Sequence, residues 1–273
     1  MAITPSLAMI PSGYKAQKLY SAVPTNGDGD FDFARSTSAT RVNKDGLIEE
    51  VAVNVPRLDY SDGGCPSLLL EPTRSNLITY SEDFSQSVWS KIGVTELGGF
   101  LAPDGTNNAY KITSNSGASG GYIEASGVNW SSGIYTHSIF VKYIDRQFIQ
   151  SFLPSFISTS FVNYDLFNET VVAGSYIDAG IEKMTNGYLR CWFSFSSSYS
   201  GNSALNSVSI ISSGSASRGA NFNGDVKSLL IYGAQLEQGS YATSYIPNFG
   251  NSAGATRVAE SNVLATTISL DND

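Results

Sequence analysis

Alternation punctuated by glycine turns restricts this chain more than any other feature. Residues 134–143 read Ile-Tyr-Thr-His-Ser-Ile-Phe-Val-Lys-Tyr, which sets Tyr135, His137, Ile139, Val141 and Tyr143 on one face of an extended strand. A second run repeats the pattern. Leu189, Cys191, Phe193 and Phe195 share one face, and Tyr188, Arg190, Trp192 and Ser194 share the other. Residues 226–233 form a β-branched and aromatic run closed by glycine, and 161–166 and 208–211 give weaker signals. Asn186-Gly187, Gly201-Asn202 and Asn223-Gly224-Asp225 separate these runs, and Asn and Gly reach the positive φ of tight turns at low cost. Strands at this spacing, with no alternation of strand and helix, predict an all-β antiparallel sandwich. A charged fraction of 15% beside 12% aromatics argues against long solvated helices. One short helix is expected over residues 81–91. Ser81 would cap it, Glu82 and Asp83 suit its first turn, and Phe84, Val88 and Trp89 follow at helical spacing.

Texture divides the chain into three. Residues 1–74 are rich in Pro and Gly, lack long strands and read as an irregular docking or wrapping region. Residues 75–246 carry the sandwich, and 247–273 form a Gly, Asn, Ser, Ala and Thr tail. Arg35, Arg41, Arg57 and Arg74 punctuate the first region. A guanidinium offers five donors in a planar fork, so these four are expected to act as structural clamps that tie loop carbonyls together. A short echo, Ser38-Ala39-Thr40-Arg41-Val42 against Gly254-Ala255-Thr256-Arg257-Val258, extends that role to Arg257.

The residue inventory narrows the chemistry. His137 is the one histidine, and its alternation packs it among Tyr135, Ile139 and Tyr143. No nucleophile-elbow motif accompanies it, so a Ser–His–Asp triad is not expected. One His and two Cys fall short of a zinc site. Cys65 and Cys191 read as two small apolar core residues rather than a disulfide framework. Asp28, Asp30 and Asp32 begin like a calcium loop, but Phe33 stands where that loop needs glycine and Ala39 where it needs glutamate. No cofactor is expected, with a structural calcium elsewhere left open. Asp165, Asp178, Glu182 and Asp225 show no spacing that singles out a catalytic pair. On these grounds the chain is expected not to be an enzyme, a carbohydrate depolymerase being the weakest of the readings kept. A net charge of −8 without a basic block predicts no nucleic-acid partner. No apolar stretch approaches a membrane span, and the first nine residues do not read as a signal peptide.

Several phrases together carry a resemblance. They are Ala34-Arg35-Ser36-Thr37-Ser38-Ala39-Thr40-Arg41-Val42-Asn43, Asp45-Gly46-Leu47-Ile48-Glu49, Asn54-Val55-Pro56-Arg57-Leu58-Asp59-Tyr60 and Leu68-Leu69-Leu70-Glu71-Pro72-Thr73-Arg74-Ser75-Asn76-Leu77. Tyr80-Ser81-Glu82-Asp83-Phe84 leads to Trp89, and Gly233-Ala234-Gln235-Leu236-Glu237 precedes Gly239-Ser240-Tyr241-Ala242-Thr243-Ser244-Tyr245-Ile246-Pro247. This ordered set resembles bacteriophage structural proteins of head fibres, capsid decorations and tail fibres. The resemblance implies a jelly-roll or concanavalin-like, carbohydrate-binding-type sandwich. It also implies a virion subunit assembled in the host cytoplasm as a homotrimer, docked on other capsid or tail proteins. The alternative is a receptor-binding module for host surface glycans, for which Tyr122, Trp130, Trp192 and Tyr199 are the candidate stacking platform.

Overall fold

The computed structural model describes residues 8–23, 25–220, 222 and 224–264. Among the described residues there is no helix. The first strands are β1 (Ala8–Lys15), β2 (Lys18–Val23), β3 (Phe31–Ala34), β4 (Ala39–Val42), β5 (Ile48–Val51), β6 (Leu58–Asp59), β7 (Ser67–Leu68) and β8 (Arg74–Asn76). There follow β9 (Trp89–Ile92), β10 (Val94–Phe100), β11 (Ala109–Ser114), β12 (Tyr122–Trp130), β13 (Gly133–Tyr143), β14 (Phe148–Phe152) and β15 (Phe161–Asp165). The last are β16 (Thr170–Ser175), β17 (Asp178–Lys183), β18 (Leu189–Ser197), β19 (Gly201–Ile210), β20 (Ser228–Gln238), β21 (Ala255–Arg257) and β22 (Ser261–Leu264). The chain forms two compact units, one of residues 1–74 with 256–273, the other of residues 75–255.

The larger unit is a sandwich of two six-stranded antiparallel sheets, ordered β10-β11-β20-β13-β18-β17 and β16-β15-β14-β19-β12-β9. Alternation decides what lies between them. Tyr135, His137, Ile139 and Val141 of β13 and Leu189, Cys191, Phe193 and Phe195 of β18 are buried, facing Ile123 and Ala125 of β12, Val162 and Tyr164 of β15, and Leu205 and Val208 of β19. On β20 the period of two breaks, since Leu229 and Ile231 share the core with Ala234 and Leu236. A bulge explains it. Phe140 pairs with Tyr232 and Ser138 with Gln235, so two residues of β20 oppose Ile139. Gly233 sits in that bulge at φ 58°, where an added Cβ would lie 3.1 Å from the Phe140 and Tyr245 rings.

The outer face of the β20-β13-β18 sheet is covered by the chain's own continuation. Thr136 Oγ1 donates to the Gly239 carbonyl, Ser194 Oγ to Ser240 and Arg190 to Thr243. Glu237 accepts from the Thr243 amide and hydroxyl, and Gln235 from the Ile246 amide. This is why the phrases around Gln235, Glu237 and Thr243 carry polar residues at buried positions. Arg190 and Ser194 on the outer face of β18 are therefore buried within the chain, as is Tyr188 just before it, and Trp192 is half-buried.

The helix expected over residues 81–91 is not formed. Turns occupy the segment until Trp89 enters β9. Asp83 accepts from the amide and hydroxyl of Ser85 and from the Gln86 side chain, a local turn that competes with helix. Ser81 meanwhile bonds the Tyr245 hydroxyl and accepts from the Asn248 amide, so it caps nothing. Phe84 and Trp89 pack together in the core with ring centroids 4.6 Å apart.

The smaller unit is made of short strands, only β1 and β2 exceeding four residues. β22 pairs with β3 in the sheet β1-β2-β3-β22, bringing C-terminal residues onto the N-terminal segment. Beside that sheet lies a buried charged cluster. Arg35 donates to the carbonyls of Thr37, Val51, Ala52 and Val55 and to Glu260. Arg57 donates to the Thr40 carbonyl, Glu71 and Glu260, and Arg257 donates to Glu71 and the Pro72 carbonyl. Burial, followed by the nearby Arg57, pulls the Arg35 guanidinium below its ordinary value. Arg41 pairs instead with Glu49 across the β4–β5 hairpin, and half-buried Arg74 donates to the adjacent Thr73 carbonyl. Asp30 accepts from Ser21 and pairs with Lys18, which binds the supposed calcium-loop carboxylate into the protein. Among the described residues no three His, Cys, Asp or Glu side chains gather as a metal site. Both cysteines are free, and only Cys191 is a core residue. Cys65 is exposed beside Gly63 and Gly64, which turn the chain between β6 and β7, so its core assignment is corrected.

Candidate functional site

The four aromatics proposed as a platform do not converge. Trp130 is 5% exposed and lies in the core against Tyr135 and Phe195. Tyr122 lies on β12 with its neighbours Ile123 and Gly121 buried, and Trp192 lies on the outer face of β18, in the opposite sheet. Half-buried Tyr199 meets exposed Phe156 edge-on and donates to the Asn202 carbonyl.

A different part of the sandwich unit forms a cleft of about 440 Å³. Tyr80, Glu82, Asp83, Gly99, Asn107, Asn108, Tyr110, Asn248 and Phe249 line it. Three segments supply these groups: the loop before β9, the end of β10 through the first part of β11, and the chain that follows β20. Phe249 is 74% exposed at the rim. Its base is fixed, because buried Asn248 donates its amide to the carbonyls of Asn76 and Asn251 and accepts from the backbone of Gly250 and Asn251.

Tyr80 is held in the left-handed region at φ 52°, uncommon for an aromatic residue. Its carbonyl accepts from the Asp83 amide and from the Trp89 indole at 3.0 Å, which fixes the peptide. The Tyr80 ring then packs on Gly250, where a Cβ would stand 2.9 Å from it. The Tyr110 hydroxyl donates to Asp83 at 2.7 Å, and its ring meets Phe84 edge-on. Strained backbone, a glycine seat and bonded aromatics give a preformed surface.

The two lining carboxyls are shifted in opposite directions. Burial raises the Glu82 carboxyl above its ordinary range, against hydrogen bonding from Tyr232. Tyr232 Oη lies 3.0 Å from Glu82 and 3.1 Å from Asp104, so one phenolic proton faces two carboxyls. Partial burial pushes Asp83 up as well, but hydrogen bonds from Ser85, Gln86 and Tyr110 outweigh it and bring the group down to about 2. Amide groups, fixed carboxyls and aromatic faces in one concavity match what a sugar needs, apolar C–H faces to stack and hydroxyls to satisfy. Sequence reasoning missed this site. Its signal was the phrase Tyr80-Ser81-Glu82-Asp83-Phe84, which read as a helix start, and Phe249 was placed in a featureless tail.

No protein-family model matches the chain. No curated protein matches it either. Among solved structures it is similar to the enzymatically active domain of tailspike protein 4 of bacteriophage CBA120, at 13% identity and a TM-score of 0.35. The match covers 59% of this chain and 21% of that one, about a fifth of the neighbour's length. At that level the likeness transfers neither activity nor detailed fold. The expectation that this chain is no enzyme is withdrawn: the neighbour is an enzymatically active domain, and counting residues does not exclude carboxylate chemistry here. The physical reason is in the inventory. Scarce histidine and cysteine bear on triads and metal centres, whereas glycoside chemistry runs on carboxylates, which the chain has.

Proposed function

We propose that the chain is a bacteriophage virion protein of the fibre or decoration class whose sandwich unit binds host surface glycan in the Tyr80–Tyr110–Phe249 cleft. The observation that carries this reading is the cleft itself, an aromatic rim over amides and carboxyls on a β-sandwich. The sequence phrases that resemble phage fibres and decorations supply the virion setting. Phe249 gives the test, because an exposed ring adds little to folding. Phe249→Ala should keep the melting temperature and lose most binding to polysaccharide from the host surface. Undiminished binding by that variant would remove the cleft from the account.

A second observation favours assembly. Phe167, Val172, Tyr176 and Ile177 are exposed on and beside β16. We propose that this apolar strip is covered by another copy in a homotrimer, with the smaller unit docking on other capsid or tail proteins and Arg35, Arg57 and Arg257 clamping that unit. Light scattering tests the assembly, and a monomer at micromolar concentration would rule it out.

A further inference from the structure

We infer that the cleft selects sugars without an anionic group, and prefers those carrying a protonated amine. This deepens the glycan reading and rests on it. Charge sets the selection. The lining holds two carboxyls, Glu82 and Asp83, and no Lys, Arg or His. Asp104 stands behind them on the far side of the Tyr232 hydroxyl. Lys91 and Lys111, on the neighbouring elements, do not line the cleft. Lys91 donates to the Ser85 carbonyl and pairs with Glu96 at 3.4 Å, and Lys111 lies over the Phe100 ring.

Asp83 is the group that gives the selection its sign. Both of its oxygens accept hydrogen bonds, from Ser85 and Tyr110 on one side and Gln86 on the other, so the carboxylate is held in place as a fixed negative charge. A uronic acid or phosphate-bearing sugar entering here would meet like charge with no guanidinium or ammonium to receive it. An ammonium on a hexosamine would meet an oriented acceptor beside the stacking rings. Neutral sugars fall between, bound through the rings and the amides of Asn107 and Asn108. The aromatic faces supply affinity and the carboxylate supplies discrimination.

The test is calorimetric titration of the full chain with four tetrasaccharides: a β-1,4-glucosamine oligomer, its N-acetylated form, a glucose oligomer and a glucuronate-containing oligomer. Glucosamine should bind best, the two neutral oligomers less tightly, and glucuronate not measurably. Asp83→Asn keeps an acceptor for Ser85 and Tyr110 but removes the charge. It should cut the preference for glucosamine over glucose by about two- to fivefold, the size expected of one partly exposed charge pair. Raising the salt with wild-type protein should shrink the same preference without any mutation. Glucuronate binding equal to that of glucose would overturn the inference while leaving the cleft as a glycan site. Failure of every oligomer and of host polysaccharide to bind would overturn the glycan reading and this inference with it.

Discussion

Acid should loosen the sandwich through a single imidazole. His137 is buried between the sheets, its Nε2 2.9 Å from Ser207 Oγ and its ring edge-on to Phe193. Burial alone lowers its pKa from 6.5 to about 3. The sign follows directly. Below pH 6.5 the unfolded chain takes a proton that the folded chain refuses, so stability present at neutral pH is lost as pH falls through 6.5. At pH 5 the unfolded state gains a factor of about 32 from that proton, which is about 2 kcal/mol. The size depends little on the folded value as long as it lies well below 5. Denaturant unfolding at pH 7 and pH 5 measures the loss, and His137→Gln isolates it. The variant starts less stable but should lack about 2 kcal/mol of the pH dependence, whatever the carboxyls contribute. Because His137 is the one histidine, its imidazole resonances are unambiguous in an NMR titration. A folded-state midpoint near 6.5, or an equal pH slope in wild type and variant, would refute the reasoning.

Three other perturbations follow from particular contacts. Glu260→Gln removes the charge that Arg35 and Arg57 share at a fully buried position, and should destabilise the smaller unit by about 3–5 kcal/mol, read by thermal unfolding. Gly233→Ala places a Cβ against Phe140 and Tyr245 at positive φ and should cost about 1–3 kcal/mol, read by denaturant unfolding. Asp83 is depressed from 3.8 to about 2, so the stability it contributes is present above pH 4 and lost as pH falls from 4 toward 2; Asp83→Asn should flatten that part of the acid-unfolding curve.

The sandwich was legible because its strands alternate, and a period of two fixes which face is buried before any partner is known. The β20 bulge was not legible, since one extra residue shifts the period and only the pairing with β13 reveals it. The loop before β9 misled for a chemical reason: Ser, Glu and Asp favour helix starts and tight turns alike, and contacts from Tyr245 and Asn248, far along the chain, decided the outcome. The arginines were legible as residue types. Their partners Glu71 and Glu260 were not, because 189 residues separate two acids that meet through one guanidinium. The cleft is assembled from three distant segments in the same way.

The central claim is that the Tyr80–Tyr110–Phe249 cleft receives glycan. Backbone and aromatic NMR of labelled protein, titrated with polysaccharide from the host surface, tests it most directly. The account predicts shifts confined to Tyr80, Glu82, Asp83, Asn107, Asn108, Tyr110 and residues 248–250. Shifts centred on Tyr122, Trp192 or Tyr199 with the cleft unmoved would contradict it.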